Sequence, residues 1–133
     1  MGNFKVFFIL LAVATFAITG CNKDNAAPTI SVFKVNGTET QSNDGYHTID
    51  TNVAFEVTAS DEGSLGSYQV TKEGTNIEIL ASGDLEGTTS TFIFNLSLNA
   101  DNYAVGEEIN LTFLIEDARG SIVLKPYRVI IEE

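Results

Sequence analysis

Few residues in this 133-residue chain belong to the types that carry covalent or acid–base chemistry. There is one cysteine, Cys21, and one histidine, His47. His47 sits beside Tyr46 in a polar stretch without an acid cluster, so it reads as a surface residue rather than a general base. G-x-S-x-G, P-loop and H-E-x-x-H patterns are absent. Glu107-Glu108 and Glu132-Glu133 are adjacent acids; on a strand, neighbours point to opposite faces, so neither pair forms an acid/base couple. The expectation is a protein that is not an enzyme. Two binding chemistries stay open. The loop acids Asp61, Glu62 and Asp117 are oxygen ligands of the kind calcium takes, about six to eight at a time. Tyr46, the freest of the four tyrosines, is a candidate platform for a sugar ring or another ligand. Tyr68 and Tyr127 fall at alternating strand positions and read as core. Tyr103, in a connection, is placed to tie a corner through its hydroxyl.

Cys21 has a different context. Lys5 precedes an apolar run, Phe7 to Ala14 (FFILLAVA), extended by Phe16 to Ile18. The run is shorter than the ~20 residues of a membrane-spanning helix and suits a signal-peptide core. Ile18-Thr19-Gly20-Cys21 resembles the lipobox of bacterial lipoproteins. That resemblance implies cleavage before Cys21, a diacylglycerol on its thiol and an acylated new N-terminus. Asn22-Lys23-Asp24-Asn25 then resembles the surface-export signal of Bacteroidota lipoproteins, a lysine and an acid just after the lipidated position, with Asn25 where a second acid is usual. The implied address is the outer membrane and the cell surface, through a lipid anchor. Residues 1–20 are read as the lipoprotein signal peptide, 21–28 as a polar tether and 29–133 as one folded domain.

Removal of a leader whose only charge is Lys5 leaves six bases against 18 acids, a net charge of −12. So acidic a body excludes nucleic acid and docking on anionic lipid through a basic patch. With no cysteine beyond Cys21, no disulfide or thiolate metal site holds the domain. Its core must do so, and about 110 residues suffice.

The body alternates with period two. Ile30, Val32 and Val35 start a first strand closed by Asn36-Gly37. Tyr46 to Ile49 reads as a short strand. Val53, Phe55, Val57 and Ala59 form one apolar face. Tyr68 and Val70 share the next, and Ile77 to Ala81 another short strand. Phe92, Phe94, Leu96 and Leu98, then Ile109, Leu111, Phe113 and Ile115, continue the pattern. In the last segment Ile122 and Leu124 share one parity, whereas Tyr127, Val129 and Ile131 share the other. This predicts a bulge or an edge position at Pro126. No segment shows helical spacing. About seven strands with turns every ~8–12 residues predict an all-β, antiparallel sandwich.

The stretches VAFEVTASDEGSLGSYQV, YAVGEEINLTFLIEDARGS and YRVIIEE resemble bacterial immunoglobulin-like and cadherin-like domains. The antibody cysteine pair and core tryptophan are missing. The resemblance implies an immunoglobulin-like β-sandwich used for adhesion, glycan binding or spacing, with no cofactor beyond a calcium ion at one pole. There the turns at Asp61-Glu62, Asp84 to Glu86 and Glu116-Asp117 would gather beside the linker. The competing reading of these acids is turn capping. The expected role is a lipid-anchored binding or accessory module with a protein or glycan partner. The alternatives are a structural spacer and a calcium-stabilised adhesion domain.

Overall fold

The structure is a computed structural model and describes residues 26–133. Cys21, with its leader and most of the tether, lies outside the described residues. Among the described residues nine strands form: β1 (Thr29–Val35), β2 (Thr38–Glu39), β3 (Asp44–Thr48), β4 (Asn52–Ser60), β5 (Leu65–Lys72), β6 (Glu78–Asp84), β7 (Thr89–Ser97), β8 (Glu108–Asp117) and β9 (Ile122–Glu132). They make two sheets, ordered β2-β1-β4-β7 and β3-β9-β8-β5-β6. The all-β sandwich expected from the alternation is the fold of this chain.

Each apolar parity turns inward, as a pleated strand requires. In β4, Val53, Phe55, Val57 and Ala59 are fully buried; in β8, Ile109, Leu111, Phe113 and Ile115 face them. Aromatic rings knit the layers. Phe33 meets Phe113 edge-on at 5.2 Å, Phe55 meets Tyr127 edge-on at 5.3 Å, and Tyr68 stacks on Phe92 at 3.9 Å. Tyr127 is core, as its parity predicted.

The strand without a counterpart in the sequence reading is β2, a two-residue hairpin arm; β3 is the short strand expected at Tyr46, begun two residues earlier. Nor is the sandwich wholly antiparallel. β3 runs parallel to β9, Tyr46 opposite Ile130. The chain crosses from one sheet to the other between β2 and β3, which makes that pairing possible.

In β1 the buried residues are Phe33 and Val35, while Val32 faces outward. The pairing with β4 slips between Ile30 and Val32, so the extra residue reverses the phase. The phase shift predicted in β9 does not occur. Its register against β8 is continuous through Pro126, opposite Thr112. Leu124 lies on the outer face, 52% exposed, and Lys125 takes the inward slot. The edge position does hold for Pro126: β3 begins pairing only at Arg128, so nothing in the sheet needs the missing N–H. The strand expected from Ile77 starts at Glu78 and runs to Asp84, and Ile77 is exposed.

Candidate functional site

At one pole the predicted gathering of acidic turns is present. The Asp61 N–H donates to the Thr88 carbonyl, Leu65 N–H to Gly87 and Ala118 N–H to Ser64, so the turn after β4 is bonded to both other loops. Ala26, Ala27, Asp61 and Glu62 line a common groove there. The carboxylates are turned to the backbone. Asp61 Oδ2 accepts the Gly63 N–H at 3.0 Å. Asp117 Oδ1 accepts the N–H groups of Arg119 and Ser121, both at 2.9 Å, and holds the β8–β9 hairpin closed. Both acids are buried, whereas Glu62 is exposed. Among the described residues no group of three or more His, Cys, Asp or Glu side chains is arranged to hold a metal. The capping reading accounts for what Asp61 and Asp117 do here.

The other candidate is the outer face of the five-stranded sheet. Tyr46 projects from it, 68% exposed, beside Ile130 and then Glu108 in register. One row along lie Asp44, Arg128 and Asn110. Arg128 bridges the rows: one guanidinium nitrogen lies 3.2 Å from Asp44 Oδ2 and the other 3.6 Å from Glu108 Oε2. Asn43, Asp44, Glu73, Asn110, Thr112, Pro126 and Arg128 border a shallow depression of about 290 Å³. Tyr46 is two residues from Asp44 on the same face, ~7 Å along the strand. Arg128, Asp44 and Asn110 carried no signal in the sequence. They come from three strands and are neighbours only through register.

Beneath this face the inward side of β3 is tight. His47 is half-buried rather than a plain surface residue, and its Nε2 lies 3.0 Å from the Tyr127 hydroxyl. Burial lowers its pKa below the usual imidazole value, and the nearby Glu132 charge partly offsets this. Burial, then the Asp44 charge, raises that of Tyr127. A side chain at Gly45 would collide with the Tyr127 hydroxyl. Lys125 reaches to the loop before β3: its Nζ donates to Asn43 Oδ1 at 2.7 Å and to the Ser42 carbonyl at 3.1 Å, over the Phe33 ring. Burial lowers its pKa as well. His47 contacts a phenol and not a carboxylate, so no nucleophile–base–orienter chain is formed here. Tyr103 donates its backbone N–H to the Asn99 carbonyl and carries the Lys72 ammonium over its ring at 5.3 Å.

No family model and no curated protein matches this chain. Solved structures do. The Niemann-Pick type C2 protein of the Japanese carpenter ant superposes with a TM-score of 0.54 over 84% of this chain and 96% of that one, at 2% identity. The C-terminal domain of Wzt gives 0.51 over 83% and 76%, at 10% identity. The sporulation control protein Spo0M of Bacillus subtilis gives 0.48 at 13% identity, and the chain spans half of its length. At 2% and 10% identity the first two likenesses are of fold alone, that of a β-sandwich.

Proposed function

We propose that this chain is a lipid-anchored, non-catalytic module of the bacterial outer membrane that binds a neutral glycan across the outer face of its five-stranded sheet. One observation carries the reading: an aromatic ring largely open to solvent, Tyr46, stands two residues along β3 from Asp44, which borders a shallow depression walled by amide, carboxylate, guanidinium and hydroxyl side chains. Sugars are held by such a pairing, a ring face packed on an aromatic and hydroxyls bonded to fixed planar polar groups. The net charge of −12 left once the leader is removed favours a neutral chain over an acidic one. The lipobox-like Ile18 to Cys21 supports the anchor.

The test is calorimetric titration and array binding with neutral oligosaccharides. Tyr46→Ala is expected to weaken binding at least tenfold, about 1.4 kcal/mol, with an unchanged melting temperature; equal binding by the variant would remove the face from consideration. A protein partner is the second reading. It is favoured by the outward Leu114–Leu124 pair on the same sheet, and Leu124→Glu separates the two by affecting only a protein contact. The anchor is tested by palmitate-analogue labelling of wild type against Cys21→Ser, with protease shaving of intact cells. Label that requires Cys21, on a body that external protease removes, is the expected result.

A further inference from the structure

A two-sheet sandwich has four edge strands, and exposed edges invite pairing unless they are blocked. Three are blocked here. β2 has two residues. β3 has five and carries Asp44 in an ion pair with Arg128. β6 bears Glu78 and Asp84 and is bent by a register slip against β5. The fourth, β7, is nine residues long, TSTFIFNLS, and has no charge, proline or glycine. Its register with β4 runs from Thr89 to Ser97 without a slip.

The direction of its backbone follows from the ladder. The N–H and C=O of Leu98 bond the Thr51 carbonyl and the Asp50 N–H, so even-numbered residues of β7 face β4. On β4 the groups of Ala54 are taken by Asn36, which leaves Val53, Phe55 and Val57 for β7. Thr91, Ile93, Asn95 and Ser97 therefore aim their backbone groups away from the sheet. Among the described residues no backbone hydrogen bond outside the ladders involves Thr89–Ser97. In a constant-type immunoglobulin sandwich the corresponding sheet continues with a fourth strand, A-B-E-D. Here residues 85–88 lead straight from β6 into β7, and that place beyond it stays open.

We propose that β7 is a self-pairing edge, and that a second copy of this chain adds its own β7 antiparallel across a two-fold axis at Ile93. Ile93 is the centre of the strand and is 65% exposed. Full overlap places Ile93 against Ile93, Thr91 against Asn95 and Thr89 against Ser97, and no acid meets an acid. The nearest acid on this face is Glu56, opposite Ile93 on β4. The two copies of Glu56 would stand three strand spacings apart, ~14 Å, beyond the ~8 Å screening length of physiological salt. For a chain with 18 acids and seven bases, this edge lets a copy approach without charge conflict. An isologous contact of this kind closes as a dimer. The assignment does not depend on the glycan-binding reading, because β7 belongs to the other sheet.

The experiment is disulfide trapping of the full chain in membranes of an expressing bacterium. Opposed Cα atoms in a hydrogen-bonded antiparallel pair lie ~5.5 Å apart, within disulfide reach. After mild oxidation, Ile93→Cys is expected to give covalent dimer at several times the yield of Ile79→Cys or Leu124→Cys, which lie elsewhere and are also more than half exposed. The wild type controls for Cys21. Adding Thr91→Pro to Ile93→Cys removes a donor on the free side only and is expected to abolish the dimer while protease resistance of the body is retained. Thr91→Lys, which puts a charge on the same edge, serves where the proline variant does not fold. Equal yields at all three positions would overturn the proposal. So would a position-93 crosslink that carries a different polypeptide in preference to a second copy.

Discussion

Asp117 illustrates how a side chain that looks like a ligand can be a structural fastener. Its Oδ1 takes two backbone N–H groups across the turn into β9, and a carboxylate accepting such bonds is worth more than a neutral acceptor. Asp117→Ala is expected to lower stability by about 2 kcal/mol, with Asp117→Asn intermediate, read by urea unfolding. Gly45 is held by space. A methyl there meets the Tyr127 hydroxyl of a ring already packed on Phe33 and Phe55, so Gly45→Ala should cost about 2 kcal/mol through overpacking. His47 brings a pH dependence whose sign follows from its burial. The folded protein prefers the neutral ring, so its contribution is present above the unfolded pKa of ~6.5 and fades as pH falls through that value toward the lower folded one. Comparing unfolding of wild type and His47→Gln from about pH 7.5 to 5.5 should show a steeper loss in the wild type.

Elements were legible where alternation is long and unbroken. β4, β7 and β8 carry runs of inward residues at period two, and their faces match the sequence expectation residue by residue. Phe113, in β8 and in ring contact with Phe33, Phe55 and Phe94, is the test of that core: Phe113→Ala should destabilise by about 3–5 kcal/mol in a denaturant melt. Reading failed where phase depends on a neighbour. The bulge in β1 that brings Phe33 inward is set by pairing with β4, and composition does not announce it. In β9, apolar Ile122 and Leu124 suggested a change of face, yet continuous pairing with β8 keeps them outside and puts Lys125 inside, where loop carbonyls and Asn43 satisfy its ammonium. The outer-face cluster of Asp44, Arg128 and Asn110 was invisible for the same reason. Their separations in sequence are large, and only strand order brings them side by side.

At the scale of the whole molecule, charge is the dominant long-range term. With a net charge of −11 over the full chain, the protein repels itself. Its melting temperature should rise as salt is increased from ~10 to ~200 mM, across which the screening length falls from ~30 Å to under ~10 Å; a flat profile in calorimetry would show that the acids are already compensated locally. The amino-acid sequence by itself determined the all-β class and the inward faces of the long strands, because side-chain alternation is local and needs no partner. It also set the acidic balance and marked Cys21 as the residue that differs in context from all others. The tertiary structure decided the strand order, the parallel β3–β9 pair, the burial of Asp117 in a turn and the strand left open at β7. Each of these depends on contacts between segments distant in sequence, whose register is fixed only when two sheets close over one core.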